Sequence, residues 1–229
     1  MSDALKSRDE FIAIAAHELR NPLNVFLLNL QLLHRLIGTP AKVEQLRPLV
    51  EKAREQVGRI SMLVDRLLDV TRIRTGTFEL FRENLDLSAL IREVVQRFAG
   101  EYPAVAFSAE IAGQIQGKWD RVRMDQAFTN LLSNAVKYGA GRPVALGAQV
   151  ERDTAVIEVR DHGVGISADD LGRIFDRFER AVGRAHNDGL GLGLWITRQI
   201  VQAHGGTIIA ESEPGKGSIF TIRLPIQLE

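Results

Sequence analysis

The chain has no cysteine among its 229 residues. Disulfides and thiolate metal sites are excluded, and the composition suits a reducing compartment. There is no charge excess of either sign, since 29 basic and 29 acidic residues balance. That balance gives no reason for non-specific attraction to nucleic acid or to an anionic membrane. Nucleic acid is therefore not an expected partner. No apolar run approaches the ~20 residues that a bilayer demands. The first ten residues, MSDALKSRDE, lack the apolar core of a signal peptide. The expectation is a cytoplasmic chain without a membrane segment of its own, or the cytoplasmic part of a longer, membrane-bound protein. What is present, 45% hydrophobic and 25% charged residues, suits a soluble folded protein. The length suits one large domain or two small ones.

Two regions differ in pattern. Residues 4–73 read as helical, broken at Gly38-Thr39-Pro40. Glycine ends a helix, threonine caps the next, and proline suits its first turn. A helical hairpin over roughly 4–37 and 41–73 follows. Pro48 is expected to kink the second helix or delay its start. From about residue 77, strands and helices alternate. TFELF and VAFSAEI read as strands, and DLSALIREVVQRFA reads as a helix with Ser88 near its start. A long helix is opened by Asp120 and closed by Gly139. PVALGAQVE and DTAVIEVRD alternate like half-buried strands joined at residues 151–153. LGLWITRQIVQAHGG reads as a helix, and TIIAES and SIFTIRL as a last strand pair. The expected domains are 1–73 (helical hairpin), 74–84 (linker) and 85–229 (an α/β domain).

The hairpin holds AAHELRNPLN, residues 15–24. At 100° per residue, Phe11, Ala15, Leu19, Pro22, Phe26, Leu30, Leu33 and Ile37 fall in one arc of roughly 100°. His17 falls roughly opposite that stripe, with Asn21 one turn on and Glu18 beside it. Pro22 has no N–H for the carbonyl of Glu18, so a bend is expected just after His17. A lone histidine on a polar face is usually a solvated surface residue, and only its context decides otherwise. Leu27, Leu28 and Leu32 widen the first helix's apolar face, and Ile60, Val64, Leu67 and Leu68 add one on the second. Pairing two hairpins into a four-helix bundle buries these faces. Packing on the rest of the chain is the alternative.

Four clusters mark the second region. In NLLSNAVKY, Asn130 and Asn134 share a helix face, followed by Lys137 and Tyr138. An asparagine carbonyl can complete a Mg²⁺ shell otherwise made of phosphate and water. The same residues also suit a plain solvated face. In DHGVGI, Gly163 and Gly165 permit close backbone approach to a flat ligand, and Asp161 can accept from an exocyclic amine. An ordinary glycine turn is the alternative. In IFDRFER, Phe175 and Phe178 are three apart and would face one way on a helical turn. In DGLGLGLWI, Gly189, Gly191 and Gly193 run into a helix whose exposed N–H groups can cradle phosphate. This spacing is neither the dinucleotide-binding nor the P-loop pattern. Between the last two clusters, RAVGRAHND suits a mobile flap.

In this order the clusters are specific. From Asp9 to Pro225 the chain resembles the catalytic core of bacterial sensor histidine kinases. FIAIAAHELRNPL resembles the phospho-acceptor motif, and NLLSNAVKY the asparagine box. DHGVGI and DGLGLGL resemble the two glycine boxes, IFDRFER the phenylalanine box, and AHGGTIIAESEPGKGSIFTIRLP the closing segment.

The resemblance implies a dimeric four-helix bundle followed by an α/β two-layer sandwich with a mixed sheet, the ATP-binding fold shared with gyrase and heat-shock chaperones. It implies autophosphorylation of His17 from Mg-ATP and transfer to an aspartate of a response regulator. Glu18 would hold the proton on Nδ1, and Asn21 would orient water for dephosphorylating the regulator. Asn134 would hold Mg²⁺ with Asn130 behind it, and Lys137 would meet phosphate. Asp161 would meet the adenine amine, and Tyr138 would line the pocket. Gly163 and Gly165 would admit the base, and Gly189, Gly191 and Gly193 the phosphates. Arg180 would reach the γ-phosphate. The implied partners are a second copy of the chain and a receiver domain. One departure is Leu190, where the family often has threonine, which removes a side-chain donor. Two other readings are a nucleotide-binding adaptor with little turnover, and a switching ATPase or serine kinase. Intact His17, Glu18, Asn134 and Asp161 argue against the first, and the histidine hairpin against the second.

Overall fold

The structure is a computed structural model and describes residues 2–37, 43–179 and 190–226. The chain divides into two compact units between Thr77 and Phe78. Among the described residues no helix is long and apolar enough to cross a membrane.

The first unit is a hairpin of α1 (Ser2–Ile37) and α2 (Val43–Thr75). The expected turn at Gly38-Thr39-Pro40 lies outside the described residues. Pro48 does not delay α2, which begins five residues earlier. The residues most withdrawn from solvent on α1 are Ala15, Leu19, Pro22, Phe26, Asn29, Leu33 and Leu36. On α2 they include Leu46, Leu49, Ala53, Gln56, Ile60, Leu63, Leu67 and Val70. Both sets step by alternating threes and fours, the seam of helices wound about each other. The expected stripe drifts off this seam. Leu30 and Ile37 are 42% and 73% exposed, and Asn29 and Leu36 take their places. The reason is geometric: a straight helix gains ~20° per heptad on a 3.5-residue repeat. Beyond the seam, Leu23, Val25, Leu27, Leu28, Leu32, Val50, Val57, Val64 and Leu68 stay exposed. The hairpin thus leaves a wide apolar face uncovered by its own two helices.

The second unit opens with β1 (Glu83–Asp86), α3 (Leu87–Glu101) and β2 (Phe107–Ile111). Then come β3 (Gln116–Trp119), α4 (Arg121–Tyr138), β4 (Val144–Glu151) and β5 (Thr154–Asp161). The short α5 (Ala168–Leu171), α6 (Gly193–Ala203), β6 (Thr207–Glu213) and β7 (Gly217–Pro225) complete it. Five strands form a mixed sheet in the order β2-β4-β5-β7-β6, and β1 pairs with β3 separately. Only β2 and β4 run parallel. Helices α3, α4 and α6 cover the sheet, burying Leu90, Ile91, Phe128, Leu132, Ile196 and Ile200. Each such side chain contributes about 1.5–3 kcal/mol on burial.

Local chemistry sets the ends of α4. Asp120 caps its start by accepting from the Arg123 N–H, and Gly139 closes it, both as expected. Two expectations fail. TFELF is not a strand: the Phe81 N–H donates to Asp120 Oδ2 at 2.9 Å, and the Phe81 side chain is exposed. The strand follows it, at Glu83. Ser88 lies near the start of α3 as expected, and Asp86 caps the helix. Ser88 is fully buried and bridges the Gly113 carbonyl and the Ile115 N–H. Phe175 and Phe178 do not share a helical turn, because Phe178 has φ 71°. Left-handed backbone is uncommon for a bulky residue. Strand β3 has no counterpart in the sequence reading.

His204 is a structural residue that the sequence reading passed over. It is 2% exposed at the end of α6. The Asp120 N–H donates to its Nε2 at 3.0 Å, and its Nδ1 lies 2.9 Å from the Ile200 carbonyl. A carbonyl only accepts, so the proton sits on Nδ1 and the ring is neutral. Burial pushes its pKa below the ordinary histidine value. The unfolded chain then takes up a proton below about pH 6.5 that the folded chain refuses. The stability from His204 is complete above that pH and is lost as pH falls towards the lower folded pKa. We expect the urea midpoint of unfolding to drop between about pH 7 and pH 5.5, and His204→Gln to flatten the drop. An equal slope in both proteins would rule out this role.

Candidate functional site

His17 lies in the middle of α1 with its side chain 61% exposed. Glu18 is mostly covered, and its Oε1 lies 3.8 Å from His17 Nδ1. Asn21 is exposed one turn further on. A ring nitrogen in solvent with a carboxylate near the other nitrogen is equipped to act as a nucleophile and to shed a proton.

In the second unit the end of α4 meets the loop after β5. The Val164 N–H donates to the Tyr138 carbonyl at 3.1 Å. A Cβ on Gly163 would lie 1.9 Å from that same oxygen, and one on Gly165 would lie 2.0 Å from the Glu213 carbonyl. Only glycine fits at either position, and Gly165 also has φ 70°. Asp161 is 6% exposed at the head of this loop, with its Oδ1 accepting from the Gly163 N–H at 2.8 Å. Burial pushes its carboxyl above the ordinary aspartate value, opposed by hydrogen bonds from Gly163 and Ser218. A carboxylate fixed this way can accept from a ligand amine without rearranging.

The α4 face carries the other groups. Asn130 is buried, and its amide donates to the Gly193 carbonyl at 3.3 Å. It therefore ties α4 to the start of α6 and is not open to a ligand as a donor there. Asn134 is half-exposed, and its amide makes no hydrogen bond to any described residue. Lys137 is exposed, with its Nζ 5.1 Å from the centre of the half-buried Tyr138 ring. Helix α6 begins at Gly193 after Leu192, and among the described residues no side chain caps it. Its first N–H groups and the positive end of its dipole are thus open to an anion. Gly191 has φ 64°, and a Cβ there would crowd Phe178 and Glu179. Phe178 in turn donates its N–H to the Gly191 carbonyl at 3.1 Å. Arg180, Gly189 and the expected flap lie outside the described residues.

These groups suit a nucleoside polyphosphate. The base would meet Asp161, and the phosphates would meet the uncapped start of α6. Among the described residues no cluster of three or more His, Cys, Asp or Glu could hold a metal. A cation here would take most of its ligands from phosphate and water, which is how Mg²⁺ binds, and the free Asn134 carbonyl is a hard oxygen of the right kind.

Comparison with known proteins agrees with this geometry. Residues 7–76 match the His Kinase A (phospho-acceptor) domain. Residues 119–228 match the histidine kinase-, DNA gyrase B- and HSP90-like ATPase. The alginate biosynthesis sensor protein KinB of Pseudomonas aeruginosa is 34% identical over 96% of this chain and 37% of its own length. The signal transduction histidine-protein kinase ArlS of Staphylococcus epidermidis is 34% identical over 99% of this chain and 50% of its own. The chain thus spans half or less of these two relatives. Among solved structures, the Acinetobacter baumannii histidine kinase AdeS aligns with a TM-score of 0.69 at 25% identity, covering 92% of this chain and 98% of that one. Full-length ShkA in complex with AMPPNP aligns with a TM-score of 0.67 at 26% identity, covering 95% and 46%. With a phospho-acceptor hairpin preceding an ATPase domain of this type, the chain belongs to the sensor histidine kinases and forms their catalytic core.

Proposed function

We propose that the chain transfers the γ-phosphoryl group of Mg-ATP to His17 and then to an aspartate of a response-regulator receiver domain. The observation that carries this reading is the exposed His17 ring with the Glu18 carboxylate 3.8 Å from Nδ1. The Nε2 lone pair forms a bond to phosphorus as the bond to the β-phosphate oxygen breaks, and ADP leaves. Attack makes the ring cationic, so the Nδ1 proton must go, and Glu18 is placed to take it. A neutral imidazole protonated on Nδ1 keeps the Nε2 lone pair that attack needs. Phosphoryl transfer otherwise asks for positioning and charge neutralisation.

The second unit supplies these. Asp161 receives the adenine amine, Tyr138 lines the pocket, and Gly163 and Gly165 keep the loop close. Lys137 and the N–H groups around Gly191 and Gly193 meet phosphate. Gly189 would join these, and Arg180 would reach the γ-phosphate. Asn134 holds Mg²⁺, which neutralises phosphate charge when bound, and Asn130 braces the helix behind it. Two copies pair through the exposed apolar faces of α1 and α2 into a four-helix bundle. We assign the first unit, up to Thr77, to the dimerisation and phosphotransfer hairpin and the second, from Phe78, to the ATP-binding domain, in place of a separate linker over 74–84. The core works in the cytoplasm, alone or as part of a longer sensor.

Asn21, on the exposed face one turn beyond His17, orients water for dephosphorylating the regulator. Asn21→Ala is expected to slow loss of phosphate from a labelled receiver domain by ~10-fold or more, while His17 labelling changes by less than ~3-fold. The two rates are read from the same γ-labelled ATP assay with purified receiver. Equal loss of both would remove any special role for Asn21.

A further inference from the structure

The register of the sheet places Asp161, Ser218 and Ser212 side by side on three neighbouring strands. Asp161 of β5 pairs with Ser218 of β7, and Ser218 pairs with Ser212 of β6. Ser212 belongs to no motif assigned to nucleotide binding, yet its hydroxyl is fully engaged. Its Oγ accepts the Ile166 N–H at 2.8 Å and donates to the Gly217 carbonyl at 2.7 Å. It also lies 3.0 Å from the Ser218 Oγ. Ser218 is buried and hydrogen-bonds the Asp161 carboxyl. Ser212 therefore links the Asp161–Ile166 loop to the start of β7. It holds the far end directly and the near end through Ser218.

Main-chain contacts reinforce the joint. The Gly215 N–H donates to the Val164 carbonyl at 2.8 Å. A Cβ on Gly217 would lie 2.2 Å from the Asp161 carbonyl. The β6–β7 turn and the loop are thus in contact along their length. Within that contact Ser212 is the side chain that, among the described residues, hydrogen-bonds the Ile166 N–H. Each serine has one proton to give. With Asp161 ionised, the Ser218 proton serves the carboxylate, and Ser212 accepts from Ile166 and gives its own proton to the carbonyl of Gly217, the residue before Ser218. Ser212 thus ties the Ile166 end of the loop to the residue that leads into Ser218.

We infer that Ser212 is a positioning residue for base recognition, acting through Ser218 and the Ile166 N–H to hold Asp161 for the adenine amine. This rests on the reading of Asp161 as the adenine acceptor. A lost neutral hydrogen bond is worth about 0.5–1.5 kcal/mol, or ~2- to 12-fold in affinity. The test uses the whole chain with Ser212→Thr and Ser212→Val, two variants of equal shape that differ by the hydroxyl and both suit a strand. Ser212→Val is expected to raise the KM for ATP ~5- to 10-fold, with His17 labelling at saturating ATP within ~2-fold. Its preference for ATP over GTP should fall by a similar factor, because guanine presents a carbonyl where adenine presents an amine. Ser212→Thr should keep KM and preference within ~2-fold of wild type. Two results overturn the inference: equal behaviour of the two variants, or a Ser212→Val variant with lower thermal stability but unchanged KM and ATP/GTP ratio. Asp161→Asn is measured beside them. An unchanged ATP/GTP ratio in that variant overturns the reading of Asp161 itself. A collapsed ratio there with a wild-type ratio in Ser212→Val overturns only the role of Ser212.

Discussion

His17→Ala is expected to leave no phosphorylated protein, while ATP affinity stays within ~2-fold of wild type. The His17 side chain is 61% exposed, and among the described residues it pairs with Glu18 alone. Its removal forfeits little packing, and surface substitutions of this kind usually shift stability by no more than about 0.5 kcal/mol. The groups proposed to meet nucleotide sit on other elements, from Asn134 on α4 to the start of α6. Binding and labelling should therefore separate cleanly. Calorimetric titration with ATP gives the first quantity and γ-phosphate label on the protein the second. Label persisting in the variant would identify another acceptor. Loss of both together would mean that His17 supports the fold.

Gly163→Ala is expected to do the reverse, abolishing ATP binding while leaving the hairpin's pairing intact. The added Cβ would lie 1.9 Å from the Tyr138 carbonyl and 2.6 Å from the Gly139 Cα. Both obstacles are backbone, so no flexible side chain can turn aside. The loop must move, and it carries Asp161 at its head. A loss of ~100-fold or more in ATP affinity corresponds to about 2.7 kcal/mol, modest for such an overlap. Gly172→Ala is the control, since a Cβ there meets nothing within 4 Å. Unchanged affinity in Gly163→Ala would show that the loop does not touch nucleotide.

Much of the fold is legible where a residue acts on its own backbone. Asp120 and Gly139 bound α4 in the sequence as they do in the structure, because capping is local chemistry. The β4–β5 hairpin shows in its alternation, and its turn holds Arg152 at φ 57°. What escapes depends on distant partners. TFELF alternates as a strand would, but its would-be ladder donor at Phe81 is claimed by Asp120, 39 residues away. QGKW carries no strand pattern, yet Gly117 lies directly under the Trp119 ring and lets the strand pair with β1. The hairpin stripe is misplaced by a residue at Leu30 and at Ile37, because the winding of α1 about α2 is not a property of α1 alone.

The site divides in the same way. The glycine clusters are visible because only glycine tolerates the approach that the fold imposes at Gly163, Gly165 and Gly191. The division of labour between the two asparagines is not visible. Asn130 is taken by the Gly193 carbonyl, and Asn134 is left open. Their spacing places them on one face but says nothing of what faces them. His204 and Ser212 do their work across 84 and 46 residues respectively, and no short pattern encodes that.

The most direct test of the central claim is the chemistry of the label on the wild-type chain. The purified protein is incubated with Mg-ATP labelled at the γ-phosphate, and the product is exposed to acid and to alkali. Label that survives alkali, is lost in acid and maps to the peptide bearing His17 is the expected result. Label that survives acid and is lost in alkali would place the phosphoryl group on a hydroxyl and contradict the assignment of His17.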